Sequence, residues 1–144
     1  MAMNKSNKNI ISPLKLSKII DGDQLKIIDC RWYLNDKKRG KKEYEKEHIP
    51  GAIYFDLEKN SDLDINIPHM LPKKEKFVSF LKKNGISPHD EVVIYDQVGF
   101  FCSSRVWFTF AYFNFKNIKI LNGGIKYWKE RNFRLSHQRK TTLR

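Results

Sequence analysis

The residues with the most chemical potential lie in one run, VVIYDQVGFFCSSRVW, from Val92 to Trp107. A continuous apolar strand pattern over residues 92–95 gives way to a glycine-containing loop and then to a helical pattern. In α/β proteins this junction is where anions and reactive thiolates are held, because loop amides and a helix N-terminus point at one spot. The residue at the strand end is Asp96, an acid where a thiol enzyme of this layout needs a cysteine. The run therefore reads as a catalytic scaffold without its nucleophile. Cys102 falls at the loop-to-helix boundary, where a helix N-terminus lowers a thiol pKa. The competing reading of Cys102 is a small packed side chain. Asp96 itself is expected to accept hydrogen bonds from loop or helix amides and, with the loop around Gly99, to line a shallow concavity at the carboxyl end of a central strand.

The elements that must position this junction alternate along the chain. A first helix is expected over residues 13–20, with Ser12 as cap and Pro13 at the first helical position. Residues 25–30 read as a strand, 41–47 as a charged helical turn stopped by Pro50-Gly51, and 52–55 as a second short strand. Residues 56–72 form a long loop rich in Asp, Asn and Pro. An amphipathic helix over 73–84 carries Phe77, Val78, Phe80 and Leu81 on a basic background and stops at Gly85. The strand at 92–95 is apolar on both faces, as expected inside a parallel sheet. A helix over 103–113, a strand over 118–121 and a helix over 124–131 follow. Strands separated by helices imply a mainly parallel sheet of about five strands with helices on both faces. Trp32, Trp107 and Trp128 are read as packing residues.

At 144 residues the chain is most economically one domain. Residues 1–9 read as a disordered lead-in, 10–133 as the domain, and 134–144 as a basic tail or a truncated interdomain linker. Its 40% hydrophobic and 13% aromatic content argues for a packed core. No apolar run approaches the roughly 18–20 residues of a membrane span, and the polar start MAMNKSNKN has no apolar signal core, so the protein is expected to be cytoplasmic. The two cysteines, Cys30 and Cys102, lack metal-ligand spacing and are expected to be free thiols, so no metal or cofactor is expected. The net charge of +12 concentrates in the block Lys37-Lys38-Arg39-Gly40-Lys41-Lys42 and in the tail with Arg134, Arg139, Lys140 and Arg144. Acids are interspersed elsewhere and no nucleic-acid motif accompanies the charge, which argues against specific nucleic-acid binding.

Five segments together, IIDCRWYL, EYEKEHIPGAIYFDLE, SDLDINIPHMLP, VVIYDQVGFFCSSRVW and ILNGGIKYW, occur in an order that resembles the rhodanese domain. The resemblance is narrower still to the N-terminal domain of two-domain thiosulfate and 3-mercaptopyruvate sulfurtransferases, and it covers roughly residues 10 to 133. It implies a rhodanese-like three-layer α/β fold. It also implies a catalytic cysteine at the start of a six-residue loop, stabilised by amides as thiolate and persulfide, in the C-terminal domain of two-domain members. Aligned on that loop, this chain has Asp96 in the cysteine position, and a carboxylate cannot carry a persulfide. By the same resemblance His69, in HMLP, leans over the partner domain's active site and assists proton handling with a nearby acid; the competing reading of His69 is a residue that packs or hydrogen-bonds within the long loop. Glu58 is the best match to that acid, although the family commonly has Asp there, and Asp62 or Asp64 could replace it.

Three functions follow from these readings. In the first, the chain is the non-catalytic half of a sulfurtransferase, completed by a C-terminal rhodanese domain that binds the sulfur-donor anion; without that domain, exposed apolar residues around Phe100, Phe101, Met70 and Leu71 favour self-association. In the second, it is a self-sufficient sulfurtransferase using Cys102. In the third, it is a binding or regulatory module of the same fold.

Overall fold

The computed structural model describes residues 8–60 and 71–137. Among them, five strands alternate with five helices: β1 (Ile10–Ile11), α1 (Pro13–Ile19), β2 (Leu25–Asp29), α2 (Arg39–Lys46), β3 (Ile53–Tyr54), α3 (Lys74–Lys83), β4 (Glu91–Tyr95), α4 (Ser103–Tyr112), β5 (Ile118–Leu121) and α5 (Gly124–Glu130). The strands form one sheet in the order β1-β5-β4-β2-β3, and every neighbouring pair is parallel. Parallel pairing forces each connection across a face of the sheet, which is why the helices cover it. The expected α/β three-layer architecture is the one observed, with β4 at the centre. The strand not anticipated is β1. Two residues show no periodicity, and its partner Leu121 lies 110 positions away in the register Ile11↔Leu121.

The two faces of the sheet bury separate cores. On one, Ile28, Val92 and Ile94 pack with Phe77 of α3 and Val106 and Phe110 of α4. On the other, Ile27, Val93 and Tyr95 pack with Leu16 of α1 and Ile125 and Trp128 of α5. Alternate residues of one strand thus feed opposite layers, as the two-residue period of a strand requires. Local signals hold where they were strongest: the Ser12 hydroxyl accepts the Lys15 amide at 3.1 Å and Pro13 opens α1. Trp32 and Trp128 are buried within this domain, and the partly buried Trp107 donates its indole N–H to the Ile118 carbonyl at 3.0 Å. The chain after α5 returns to the domain: His48 and Ser136 exchange backbone hydrogen bonds at 2.9 and 2.7 Å.

A buried ionic network sets the carboxyl ends of β2 and β4. Asp29 and Arg31 are 0% and 4% exposed. Arg31 donates from Nε and Nη2 to the Asp29 carboxylate at 2.7–3.1 Å, and from Nη2 to the Glu47 carbonyl at 2.8 Å. Tyr95 donates its hydroxyl to Asp29 at 2.7 Å and accepts the Ile49 amide at 3.2 Å. Burial opposes the charge on Arg31, but the bonded Asp29 carboxylate more than offsets it and raises the guanidinium pKa. Burial, then the Asp29 charge, pushes the Tyr95 phenol well above its ordinary value. Gly40 is required here, because a Cβ would stand 2.0 Å from the Arg31 carbonyl oxygen. Removing one partner of such a pair leaves an uncompensated buried charge. Asp29→Asn is therefore expected to cost about 3–5 kcal/mol in urea denaturation. An unchanged midpoint would show that the pair does not hold these strand ends.

Candidate functional site

Asp96 follows the last residue of β4 and is 0% exposed. The chain then turns back over it, so that the carboxylate meets the amides of its own loop. Oδ1 accepts from Val98 at 3.0 Å and Gly99 at 2.6 Å; Oδ2 accepts from Cys102 at 2.8 Å and Ser103 at 2.9 Å. Four backbone N–H groups thus converge on one side chain, the expected bonding in a more complete form. Cys102 and Ser103 sit at the start of α4, where unpaired amides and the helix dipole favour a negative charge. Gly99 has φ +143°, a conformation that side chains rarely adopt and that lets the loop close. The Ser103 hydroxyl donates back to the Gly99 carbonyl.

The loop is also fixed from outside. The Asp96 carbonyl accepts the Ile125 amide at 3.0 Å and the Gln97 carbonyl accepts that of Lys126 at 3.2 Å, which joins the start of α5 to the loop. This approach needs Gly124, where a Cβ would lie 2.6 Å from the Asp96 oxygen and 2.8 Å from the Val98 and Gly99 nitrogens. Gln97 clips the loop to β2's outlet, donating from Nε2 to the Trp32 carbonyl at 2.7 Å and accepting the Trp32 amide at 3.4 Å. Gln97 and Gly124 were not legible as site residues. Gly-Gly after a strand signals a turn, but not which backbone it must pass.

One expectation is corrected. Asp96 does not line a concavity, because four amides and the start of α5 enclose it. Two hollows instead flank the loop, and its side chains form their edges. One, of about 430 Å³, has Gln97 and Val98 beside Arg31, Arg39, Lys126 and Lys129. The other, of about 580 Å³, lies among Leu71, Phe101, Ser104, Arg105 and Phe108. Val98, Phe100 and Phe101 face outward at 55%, 48% and 58% exposure. Phe101 stacks on Trp32 at 6.4 Å between centroids.

Cys102 is brought to the loop, but as a packed residue. It is 4% exposed, its amide serves Asp96, and its Sγ donates to the Cys30 carbonyl at 3.0 Å. Cys30 is fully buried, and burial followed by its neighbour Cys102 raises its thiol pKa well above the ordinary value. Glu58 reaches the site through Trp32: its Oε2 accepts the indole N–H at 2.7 Å, with Lys37 Nζ at 3.8 Å. Glu43 accepts the Tyr33 hydroxyl at 2.6 Å, and burial with this bond pushes the Tyr33 phenol up to about 12. His69, Met70, Asp62 and Asp64 lie outside the described residues. Among the described residues no group of three or more His, Cys, Asp or Glu side chains is placed to hold a metal ion, and no helix is long and apolar enough to cross a membrane.

Chemically, the loop is an anion cradle whose anion is part of the chain. The carboxylate supplies acceptors to both pairs of amides, whereas an amide side chain serves only one pair and turns an NH₂ group on the other. Hydrogen bonds to charged groups contribute about 1.5–3 kcal/mol each, and unpaired buried donors cost about 1–3 kcal/mol. Asp96→Asn is therefore expected to destabilise the domain by about 2–4 kcal/mol, read as a lower urea midpoint with unchanged m. A midpoint within experimental error of the parent would mean that the four bonds do not organise the loop.

Comparison with known proteins matches this arrangement to one family, described as Rhodanese-like domain, over residues 12–131. The chain is 42% identical over 106 residues to thiosulfate/3-mercaptopyruvate sulfurtransferase 1, mitochondrial, of Arabidopsis thaliana, covering 73% of this chain and 28% of that protein. It is 39% identical over 131 residues to a probable 3-mercaptopyruvate sulfurtransferase of Schizosaccharomyces pombe, covering 88% of this chain and 44% of that protein. The crystal structure of SseA from Escherichia coli, a 3-mercaptopyruvate sulfotransferase, superposes with a TM-score of 0.83 at 29% identity over 91% of this chain and 51% of that one. The chain thus spans about half the length of these relatives or less. The parallel sheet, the loop at the end of β4 and the match across most of the sequence agree: the chain belongs to the rhodanese-like domain family, as a single domain homologous to thiosulfate/3-mercaptopyruvate sulfurtransferases.

Proposed function

We propose that this domain is the N-terminal, non-catalytic half of a two-domain thiosulfate or 3-mercaptopyruvate sulfurtransferase arrangement. It carries no sulfane sulfur itself and builds one wall of a sulfur-transfer site completed by a cysteine-bearing rhodanese domain. The observation that carries this reading is the Asp96 carboxylate, buried at the end of β4 and holding four loop amides. A persulfide needs a thiolate at the focus of such amides. Here the focus is filled by oxygen atoms that cannot accept sulfane sulfur.

In this reading the partner is the C-terminal rhodanese domain, and the sulfur-donor anion binds at the partner's cysteine. The outward Val98, Phe100, Phe101 and Phe108 favour a docking face, or self-association where that domain is absent, since exposed apolar patches mark association sites. His69 assists proton handling at the attacking thiol, and Glu58, anchored on Trp32, is its supporting acid. The location in this proposal is the cytoplasm, a reducing compartment in which Cys30 and Cys102 stay free thiols.

A second reading, with Cys102 as sulfur carrier, must overcome the burial of that thiol and its bond to the Cys30 carbonyl. Both readings are decided by one assay series. The isolated chain is incubated with thiosulfate and cyanide, and separately with 3-mercaptopyruvate and dithiothreitol, and thiocyanate and sulfide are measured. The expected result is no turnover above free cysteine at equal thiol concentration. Turnover lost in Cys102→Ala would assign Cys102 as carrier, and turnover that survives this change would overturn the proposal by another route.

A further inference from the structure

Cys30 and Cys102 stand 72 positions apart in the chain, yet share one apolar cluster between the sheet and helices α3 and α4. Cys30 follows β2, and its amide donates to the Tyr95 carbonyl at 2.9 Å, which places it beside the outlet of β4. Cys102 precedes α4, and its sulfur lies 3.0 Å from the Cys30 carbonyl oxygen and 3.7 Å from Gln97 Oε1. The Cys102 sulfur thus lies directly against the Cys30 backbone, inside the same buried cluster. Neither sulfur has a role in the proposed sulfur-transfer reading, and both are free and buried. The access of the two differs: Cys30 is 0% exposed, whereas Cys102 is 4% exposed and adjoins a loop whose next residue outward, Phe101, is 58% exposed.

We propose that Cys30 and Cys102 form a reversible dithiol–disulfide site, closed by exchange with a low-molecular-weight disulfide. Cys102 reacts first, when the loop opens. Its thiolate attacks one sulfur of the reagent, a mixed disulfide forms, and the first reagent thiol leaves with the proton that Cys102 released. Cys30 then loses its proton to the second leaving reagent thiol as its sulfur displaces it from Cys102. The protein gives up two electrons and two protons, and the reagent disulfide is reduced to two thiols. The mixed disulfide is short-lived, because exchange depends on access and the resolving thiol is already adjacent. Closure ties the outlet of β2 to the start of α4, on either side of the amides that hold Asp96. Removal of the Cys102 proton also ends its donation to the Cys30 carbonyl.

The test is native-state reaction of the full chain with dithiodipyridine, followed by acid quench, intact mass and a non-reducing gel. The expected product is monomeric, has lost two hydrogen masses, retains no adduct, releases two reagent thiols per chain and returns to the starting mass with dithiothreitol. Cys30→Ser, shown folded by circular dichroism, is expected to release one reagent thiol and keep one adduct on Cys102. Retained adducts on the parent chain, a disulfide between chains, or unchanged thiols in the native state would each overturn the proposal. The parent chain alone decides among these outcomes, so a variant that fails to fold does not leave the question open.

Discussion

The structure around the sheet's carboxyl edge depends on one interaction: a carboxylate at the focus of four backbone amides. Loop amides and the first amides of α4 need acceptors, and in a packed domain water does not supply them. Asp96 supplies both oxygens in the right places. The loop shape that accommodates an anion is thereby held without any ligand. The focus that makes such a loop useful for thiolate chemistry is spent on holding the loop together.

The surrounding constraints follow from keeping that carboxylate dry. The start of α5 closes one side, and only Gly124 permits its approach to the Asp96 carbonyl. Gln97 closes another through its two bonds to the Trp32 backbone. Below, the outlet of β2 is fixed by the buried Asp29–Arg31 pair and by Tyr95, which belongs to β4 and immediately precedes Asp96. Two buried carboxylates thus lie at neighbouring strand ends and are satisfied differently. Asp29 has a guanidinium, a phenol and the Arg31 amide as donors; Asp96 has four peptide groups. Outside the loop, aromatic side chains meet solvent instead of the carboxylate.

Much of the fold was legible because its signals are local. The continuous apolar run over residues 92–95 of β4, the Ser12-Pro13 start of α1 and the Gly85 stop after α3 each act within a few residues. The acid at the strand-loop-helix junction was legible too, since Asp96 is a question of residue type at one position. What escaped is non-local. β1 is two residues long and is a strand only because β5 lies beside it. Arg31 is one of 28 Lys and Arg residues in the sequence, and its burial depends on Asp29, Glu47 and Tyr95 converging from three elements. The expected concavity at Asp96 failed for the same reason: a carboxylate at a strand end reads as exposed until the loop amides and α5 are seen to cover it.

The central claim, that the cradle is built for an anion and Asp96 is that anion, is tested most directly by emptying it. Asp96→Ala removes both oxygens and leaves four amide donors without acceptors, a space that formate fits. Thermal unfolding of the variant and the parent is measured across a formate series, with chloride at matched ionic strength as control. The account predicts that formate raises the melting temperature of Asp96→Ala in a saturable way and leaves the parent at its chloride value, as binding linkage requires of a ligand taken only by the emptied site. Equal responses of the two proteins to formate, or none in the variant, would contradict it.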